Sequence, residues 1–195
     1  MQRDTELLYE IGTLRFLNRT WTQFLNPNFA NITEHSYRVL WIALILAKHE
    51  GEVDHAKLLK MALVHDLPEA RTGDVHYISR MYTERHEDVA MKEAVKGTVL
   101  EDMYPLWEEY ELRECLEAKL VKDADTLDVE LEIEEQASVG IEWMQVLKEK
   151  RQKAVFPKLH TQSGRELWEK INTVKPHEWH DSAQNRMNSG DWKTE

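Results

Sequence analysis

Between Val39 and Ala47 the chain carries no charged side chain: Val-Leu-Trp-Ile-Ala-Leu-Ile-Leu-Ala. Set inside a helical pattern running from Thr33 to Lys48, this run makes a helix that is apolar on most of its circumference. A helix hydrophobic all round is a buried one, so other helices must surround it. The run falls well short of the ~20 apolar residues needed to span a bilayer. It is therefore read as the central post of a helical bundle. Thr33 reads as its N-cap, His35 lies in its first turn, and Gly51 closes its far end.

The rest of the chain fits around that post. Seven glycines and five prolines in 195 residues leave few breakers, which favours long helices over a many-stranded sheet. Leu7, Leu8, Ile11, Leu14 and Leu17 predict an amphipathic helix over 5–18, and Asn26-Pro27-Asn28 marks a loop. Asp54 reads as the N-cap of a helix from His55 that carries Leu58, Ala62 and His65 on one stripe. A helix from about Thr83 to Met103 should bury Val89, Ala90, Ala94, Val95 and Val99, followed by a short helical connection over 101–111. Leu116, Leu120, Leu127 and Leu131 mark a long helix over roughly 112–139, continued over 140–155 and ended by Phe156-Pro157. Ser163-Gly164-Arg165-Glu166 is a capping-box signature opening a last helix. The expected fold is all-α: one domain over 1–175, with a polar, loosely ordered tail over 176–195.

Composition limits function. The formal net charge of -11 argues against a polynucleotide partner, for which a basic face supplies most of the affinity. A small phosphorylated substrate remains allowed, because a metal and a few cations reverse the field locally. One cysteine, Cys115, excludes an internal disulfide and fits a reducing compartment. Met1-Gln2-Arg3-Asp4-Thr5-Glu6 lacks the basic-then-apolar order of a signal peptide. A soluble, cytoplasmic protein with no membrane partner is expected.

Chemistry concentrates in Ala62–Asp74. The apolar run Leu58 to Val64 ends in His65-Asp66, then Pro68, Glu69 and Asp74 follow, the last after the Thr72-Gly73 turn. Polar groups at the end of a core helix cost free energy unless something satisfies them. A divalent metal would do so, with imidazole and carboxylate as ligands. The dipeptide alone decides little, since His180-Asp181 repeats it in a polar stretch. His35 upstream and an aspartate on the long helix downstream give it context. Asp123, Asp125 and Asp128 are the local choices there. Asp123 lies about 200° around the helix from Asp125, whereas Asp128 shares its face. The acidic run from Asp128 to Glu135 otherwise reads as a solvated face.

The order His…His-Asp…Asp resembles the HD-domain metal signature, and more closely the HD-domain 5′-deoxynucleotidases, which are small all-helical phosphohydrolases. The matching pieces are Leu17-Asn18-Arg19, Ile32-Thr33-Glu34-His35-Ser36, His65-Asp66-Leu67-Pro68-Glu69, Thr72-Gly73-Asp74 and Val121-Lys122-Asp123-Ala124-Asp125, spanning roughly 14–136. The resemblance implies an HD-domain bundle around a buried divalent ion (manganese, cobalt, magnesium, iron or zinc) held by His35, His65, Asp66 and Asp125. It implies that Arg19 faces the nucleotide phosphate, with Lys122 beside it. It also implies an aromatic contact to the nucleoside. Trp21 is the candidate here, although Thr20 intervenes and the distance from Arg19 to His35 is one residue longer than in the pattern. Metal coordination lowers a water's pKa and aligns it for in-line attack on phosphorus. Glu69 and Asp74 are both placed to orient that water or move a proton. The resulting expectation is a metal-dependent 5′-nucleotidase acting on deoxynucleoside monophosphates, as a homodimer. A deoxynucleoside triphosphate triphosphohydrolase is the alternative within the family, and a non-catalytic nucleotide-binding HD module the alternative outside catalysis.

Overall fold

A computed structural model describes residues 1–25 and 29–181. The α-helices are α1 (Gln2–Ile11), α2 (Ile32–Glu50), α3 (His55–Val64), α4 (Glu69–Thr72), α5 (Glu87–Val95), α6 (Met103–Leu112), α7 (Leu116–Ser138), α8 (Trp143–Ala154), α9 (Gln162–Ile171) and α10 (Glu178–Asp181). Among the described residues there is no sheet, only an antiparallel bridge between Asn18 and Asn31. No helix among them is long and apolar enough to cross a membrane. The fold is the all-α bundle that the apolar run demands.

Helices α2, α3 and α7 pack against one another, with α6 and α9 on their flanks. Val39, Ala43 and Leu46 of α2 meet Leu58, Met61 and Ala62 of α3 and Leu120, Val121, Ala124 and Leu127 of α7 in one buried cluster. The post is not apolar contact all round, however. Tyr37, Trp41 and Ile45 recur every four residues on a face of α2 that stays open, at 63%, 55% and 48% exposure. Bulk apolar content overstated burial because no helix among the described residues covers that stripe.

Local capping departs from expectation at both ends of the bundle. Asn31, not Thr33, caps α2: its side chain accepts the Glu34 N–H at 3.0 Å, and Glu34 accepts the Asn31 N–H at 3.1 Å. Asn31 is extended because it pairs with Asn18, so Ile32 already starts the helix. Asp54 caps α3 as expected. Thr161, not Ser163, caps α9 by accepting the Gly164 N–H. The Asp123 carboxylate completes that cap, accepting from His160 N, Thr161 N and Thr161 Oγ1 at 2.7–2.9 Å. A Cβ on Gly164 would stand 2.5 Å from Asp123 Oδ2, so this close approach requires glycine.

Several expected helices are shorter or broken. Residues 12–16 tighten into a 3-10 turn before Leu17 becomes extended, which ends the predicted 5–18 helix and leaves Leu8 and Ile11 at the surface. Gly97, with φ 73, stops α5 soon after Val95, so Val99 is exposed rather than buried. Val89 is exposed too. Helix α7 starts at Leu116 with Cys115 as its cap, and Gly140 (φ 95) separates it from α8. The tail expected to be loosely ordered begins with α10, where His177 Nε2 lies 3.2 Å from Ser138 Oγ. The remaining residues from 182, and the Asn26-Pro27-Asn28 turn, lie outside the described residues.

The acidic run of α7 is the largest correction. Asp128, Glu130 and Glu132 are buried, not solvated. Arg38 and His35 hold Asp128, Arg151 and Asn172 hold Glu130, and the Ala30 N–H donates to Glu132. A buried carboxylate is tolerated only when so matched.

Because the capping box of α2 also sets its first turn, Asn31→Ala is expected to cost about 1 kcal/mol of folding stability. The midpoint of urea unfolding, compared with an Asn31→Ser control that keeps a capping oxygen, measures it.

Candidate functional site

The site lies where α2 begins, where α3 ends, and at the middle of α7. Residue His65 closes α3, and the chain then turns tightly through Leu67 and Pro68 into α4. Releasing the helix there lets Asp66, which a continuous helix would rotate about 100° away from His65, converge with it. Asn18–Asn31 pairing, with Arg19 N–H to Ala30 O and Ile32 N–H to Leu17 O, brings Arg19 beside the first turn of α2. Gly73, at φ 72, turns the chain so that Asp74 returns to the same place.

These elements bring the expected residues together. Donor atoms of His35, His65 and Asp66 lie within 4.8 Å of one another. The Nε2 atoms of His35 and His65 are 3.4 Å apart. Asp66 Oδ2 is 3.3 Å from each of them, and Asp125 Oδ1 is 3.3 Å from His35 Nε2. On the outer side, His65 Nδ1 donates to the Ala62 carbonyl at 2.7 Å, and His35 Nδ1 lies 2.5 Å from Asp128 Oδ2. A carbonyl only accepts, so the Nδ1 proton is fixed there and the Nε2 lone pair of His65 faces inward. Carboxylate Asp128 does the same for His35. His35, His65 and Asp66 thus form a donor set that fits a divalent cation, with Asp125 beside His35.

Without a cation, a proton does part of that work. Burial and nearby Arg19 disfavour a charged His35, yet hydrogen bonds to Asp125, Asp128 and Asp66 outweigh them and raise its pKa well above the usual value. Burial would raise Asp66, but the imidazoles of His65 and His35 hold it well below the usual carboxylate range. Asp125, equally buried, is held low by Lys122 and His35. Lys122 Nζ donates to Asp125 Oδ2 at 2.7 Å, and that carboxylate raises its pKa.

The two candidate acids differ sharply in environment. Glu69 is buried at the start of α4; its Oε2 has no hydrogen-bond partner among the described residues, and its Oε1 lies 3.8 Å from Arg85. Burial, reinforced by repulsion from Asp66 and Asp74, pushes its pKa up to about 9. Asp74 instead accepts the Thr20 N–H at 3.0 Å and faces Arg19 Nε at 3.9 Å. Arg19 also reaches Asp66 Oδ2 at 3.4 Å.

Two chambers open from this centre. The first, ≈ 190 Å³ and almost wholly polar, contains His65, Asp66, Glu69, Arg85, Tyr110 and Arg113. The second, ≈ 370 Å³, has an aromatic wall of Trp21, Phe24, His76 and Tyr77, with Thr126 and Arg151 opposite. Arg19, Asp74, Arg80, Lys122 and Asp125 line both. Sequence reasoning missed Arg85, Arg113, Tyr110, Phe24, His76 and Tyr77, which carry no local signature. Asp128, weighed as a fallback ligand, sits behind His35 with Arg38 as its second partner. Its shared face with Asp125 was the available signal.

Comparison with known proteins agrees with this architecture. A family described as HD domain matches residues 11–172. Among curated proteins, the chain is similar to the 5′-deoxynucleotidase HDDC2 of Dictyostelium discoideum, 31% identical over 134 residues (62% of this chain, 70% of that protein). It is 28% identical to the Homo sapiens protein of the same name over 137 residues (67% of this chain, 66% of that one). It is 30% identical to the 5′-deoxynucleotidase yfbR of Photorhabdus temperata over 146 residues (67% and 73%). The chain thus spans about two thirds of the length of these relatives. Among solved structures, a conserved hypothetical protein from Pyrococcus furiosus is similar at a TM-score of 0.68 and 31% identity, covering 87% of this chain and 99% of that one. The family match takes in nearly the whole body of helices that builds the cluster, and the chain accordingly belongs to the HD-domain family.

Proposed function

We propose that the protein is a metal-dependent phosphohydrolase that releases phosphate from deoxynucleoside 5′-monophosphates. One observation carries the reading: the Nε2 atoms of two imidazoles lie 3.4 Å apart, with Asp66 Oδ2 3.3 Å from both and Asp125 Oδ1 3.3 Å from that of His35. Four acceptors gathered in a buried place call for a cation. Its ligands are His35, His65, Asp66 and Asp125. Manganese, cobalt, magnesium, iron and zinc all accept such a nitrogen and oxygen shell. A bound ion supplies Lewis-acid activation of water and polarisation of a phosphate oxygen. The choice of substrate is supported by the names of the HDDC2 and yfbR relatives, each a 5′-deoxynucleotidase.

The chain's own residues divide the remaining work. Arg19 and Lys122 stand on the wall shared by both chambers and neutralise non-bridging phosphate oxygens. Trp21, with Phe24, His76 and Tyr77, forms the face against which the nucleoside lies. As phosphorus–oxygen cleavage leaves charge on the 5′-oxygen, Glu69 Oε2 gives it a proton. In the metal-free protein burial and repulsion from Asp66 and Asp74 push its pKa up to about 9, which favours the protonated form this role requires. Asp74 acts as a positioning residue, because its Oδ2 is engaged by Thr20 N–H and faces Arg19.

Protein stripped by a chelator and reloaded across a panel of divalent metals should release orthophosphate from dAMP. Tripolyphosphate from dATP, with dAMP untouched, would replace this reading by a triphosphohydrolase. Nucleotide binding with no turnover under any metal would leave a sensor module. Glu69→Gln should lower kcat on dAMP by about 10²–10⁴-fold with KM little changed.

The same substitution has a signature in stability. Unfolded Glu69 ionises near pH 4.5, whereas the folded group holds its proton to about pH 9, so wild-type stability falls across that window. Metal-free Glu69→Gln should therefore unfold at a higher temperature than wild type at pH 8, by about 1–3 kcal/mol, and match it near pH 4. Thermal melts in the presence of a chelator measure the difference. Asp128→Asn, which loosens the hold on His35 Nδ1, should weaken metal affinity about 10–100-fold in a competition titration against a chelating dye.

A further inference from the structure

Arg113 is the only non-glycine residue among those described that has a positive φ, 56°. A left-handed backbone costs a residue with a Cβ roughly 1–2 kcal/mol, and glycine or asparagine is the usual occupant where a helix ends this way. Arginine at this place thus needs a reason beyond ending α6. Strain of this kind collects at functional sites.

Its side chain supplies one. The guanidinium lies over the Tyr110 ring at 3.3 Å, and Tyr110 in turn meets the His65 ring edge-on at 6.0 Å. Nη2 donates to Glu111 at 3.2 Å, while Nη1 is buried with no hydrogen-bond partner among the described residues. Arg113 lines the polar chamber and not the aromatic one. Of the other cations of that chamber, Arg19 pairs with Asp66, Lys122 with Asp125 and Arg80 with the Val75 carbonyl. Arg85, ion-paired with Glu87, shares with Arg113 a buried Nη1 that has no hydrogen-bond partner among the described residues but lacks its stack on Tyr110. A buried guanidinium N–H left without an acceptor is costly unless a ligand supplies one. Stacking on Tyr110 holds the fork in one orientation, so little entropy is lost when an anion arrives.

We propose that Arg113 is a phosphate-binding residue, whose Nη1 donates to a non-bridging oxygen of the substrate phosphoryl group from the side of the chamber away from the nucleoside. The proposal rests on the phosphohydrolase reading above. A lysine ammonium keeps the charge but not the fixed direction of the guanidinium N–H, which makes the charge-conserving variant informative.

The test uses the full chain loaded with manganese, and Arg113→Asn, because asparagine accepts a left-handed backbone. Orthophosphate binding is measured by calorimetry, kcat/KM by dAMP turnover, and metal affinity by chelator competition. The expected result is an orthophosphate affinity lowered about ten- to a hundredfold and a similar fall in kcat/KM, with metal affinity within twofold of wild type. Arg113→Lys should recover only part of both. If Arg113→Asn fails to fold, Arg113→Gly, which suits this backbone at least as well, takes its place. Unchanged orthophosphate affinity in the variant, or no measurable orthophosphate binding by wild type, overturns the proposal. A parallel loss of metal affinity also overturns it, since that would mean a merely structural role. An Arg113-dependent orthophosphate site in a protein that hydrolyses no nucleotide would sink the functional reading and leave this one standing.

Discussion

Everything in this fold answers to a cluster of acceptors buried at one end of an apolar core. His35, His65, Asp66 and Asp125 come from separate stretches of chain, and each is desolvated by the packing of α2, α3 and α7. Left uncompensated, the two carboxylates would cost several kcal/mol each. The protein answers from outside the cluster. Asp128 and the Ala62 carbonyl take the Nδ1 protons of the two imidazoles, and Arg19 and Lys122 face the two aspartates. The remaining deficit lies at the centre, where the inward acceptors of the cluster converge.

That arrangement also explains how a chain of net charge -11 accommodates an anionic substrate. Five cations, Arg19, Arg80, Arg85, Arg113 and Lys122, line the polar chamber beside six carboxylates, so the proposed divalent ion supplies the net positive charge that an anion needs there. Local fields decide binding at this range, because mobile ions screen charges beyond about 10 Å at ordinary salt. Most of the protein's negative charge lies on outward faces and matters to solubility rather than to the site. Glu69 answers to the opposite influence: burial and repulsion from Asp66 and Asp74 raise its pKa against the pull of Arg19 and Arg85.

Much of this was legible in the sequence because it depends on order and period. Leu58, Ala62 and His65 share a stripe, and the apolar run of α2 demands a bundle; those are local facts. The spatial meeting of His35, His65, Asp66 and Asp125 was expected from pattern resemblance; the geometry groups His35, His65 and Asp66 within 4.8 Å and sets Asp125 3.3 Å from His35. What escaped was set by distant partners. Asp128, Glu130 and Glu132 looked like a solvated face because Arg38, Arg151 and the Ala30 N–H that bury them lie far away in sequence. Thr33 looked like the cap of α2 because nothing local reveals that Asn31 is pinned by Asn18. Arg113 escaped for a different reason: a left-handed backbone is read from glycine or asparagine, and arginine hides it.

The two chambers give the site a direction. Residues that line both, Arg19, Asp74, Arg80, Lys122 and Asp125, form a charged partition between an aromatic pocket and a polar one. A nucleotide is itself divided in this way, with an apolar stacking base at one end and a dianion at the other. Only one orientation places each end in matching surroundings, and it sets the bond between phosphorus and the 5′-oxygen at the partition. Glu69 lines the polar chamber but not the aromatic one, so it meets the phosphoryl end of such a substrate. Discrimination is divided accordingly. In the proposed orientation the aromatic wall of Trp21, Phe24, His76 and Tyr77 faces the nucleoside, and the polar chamber as far as Arg113 faces the phosphate.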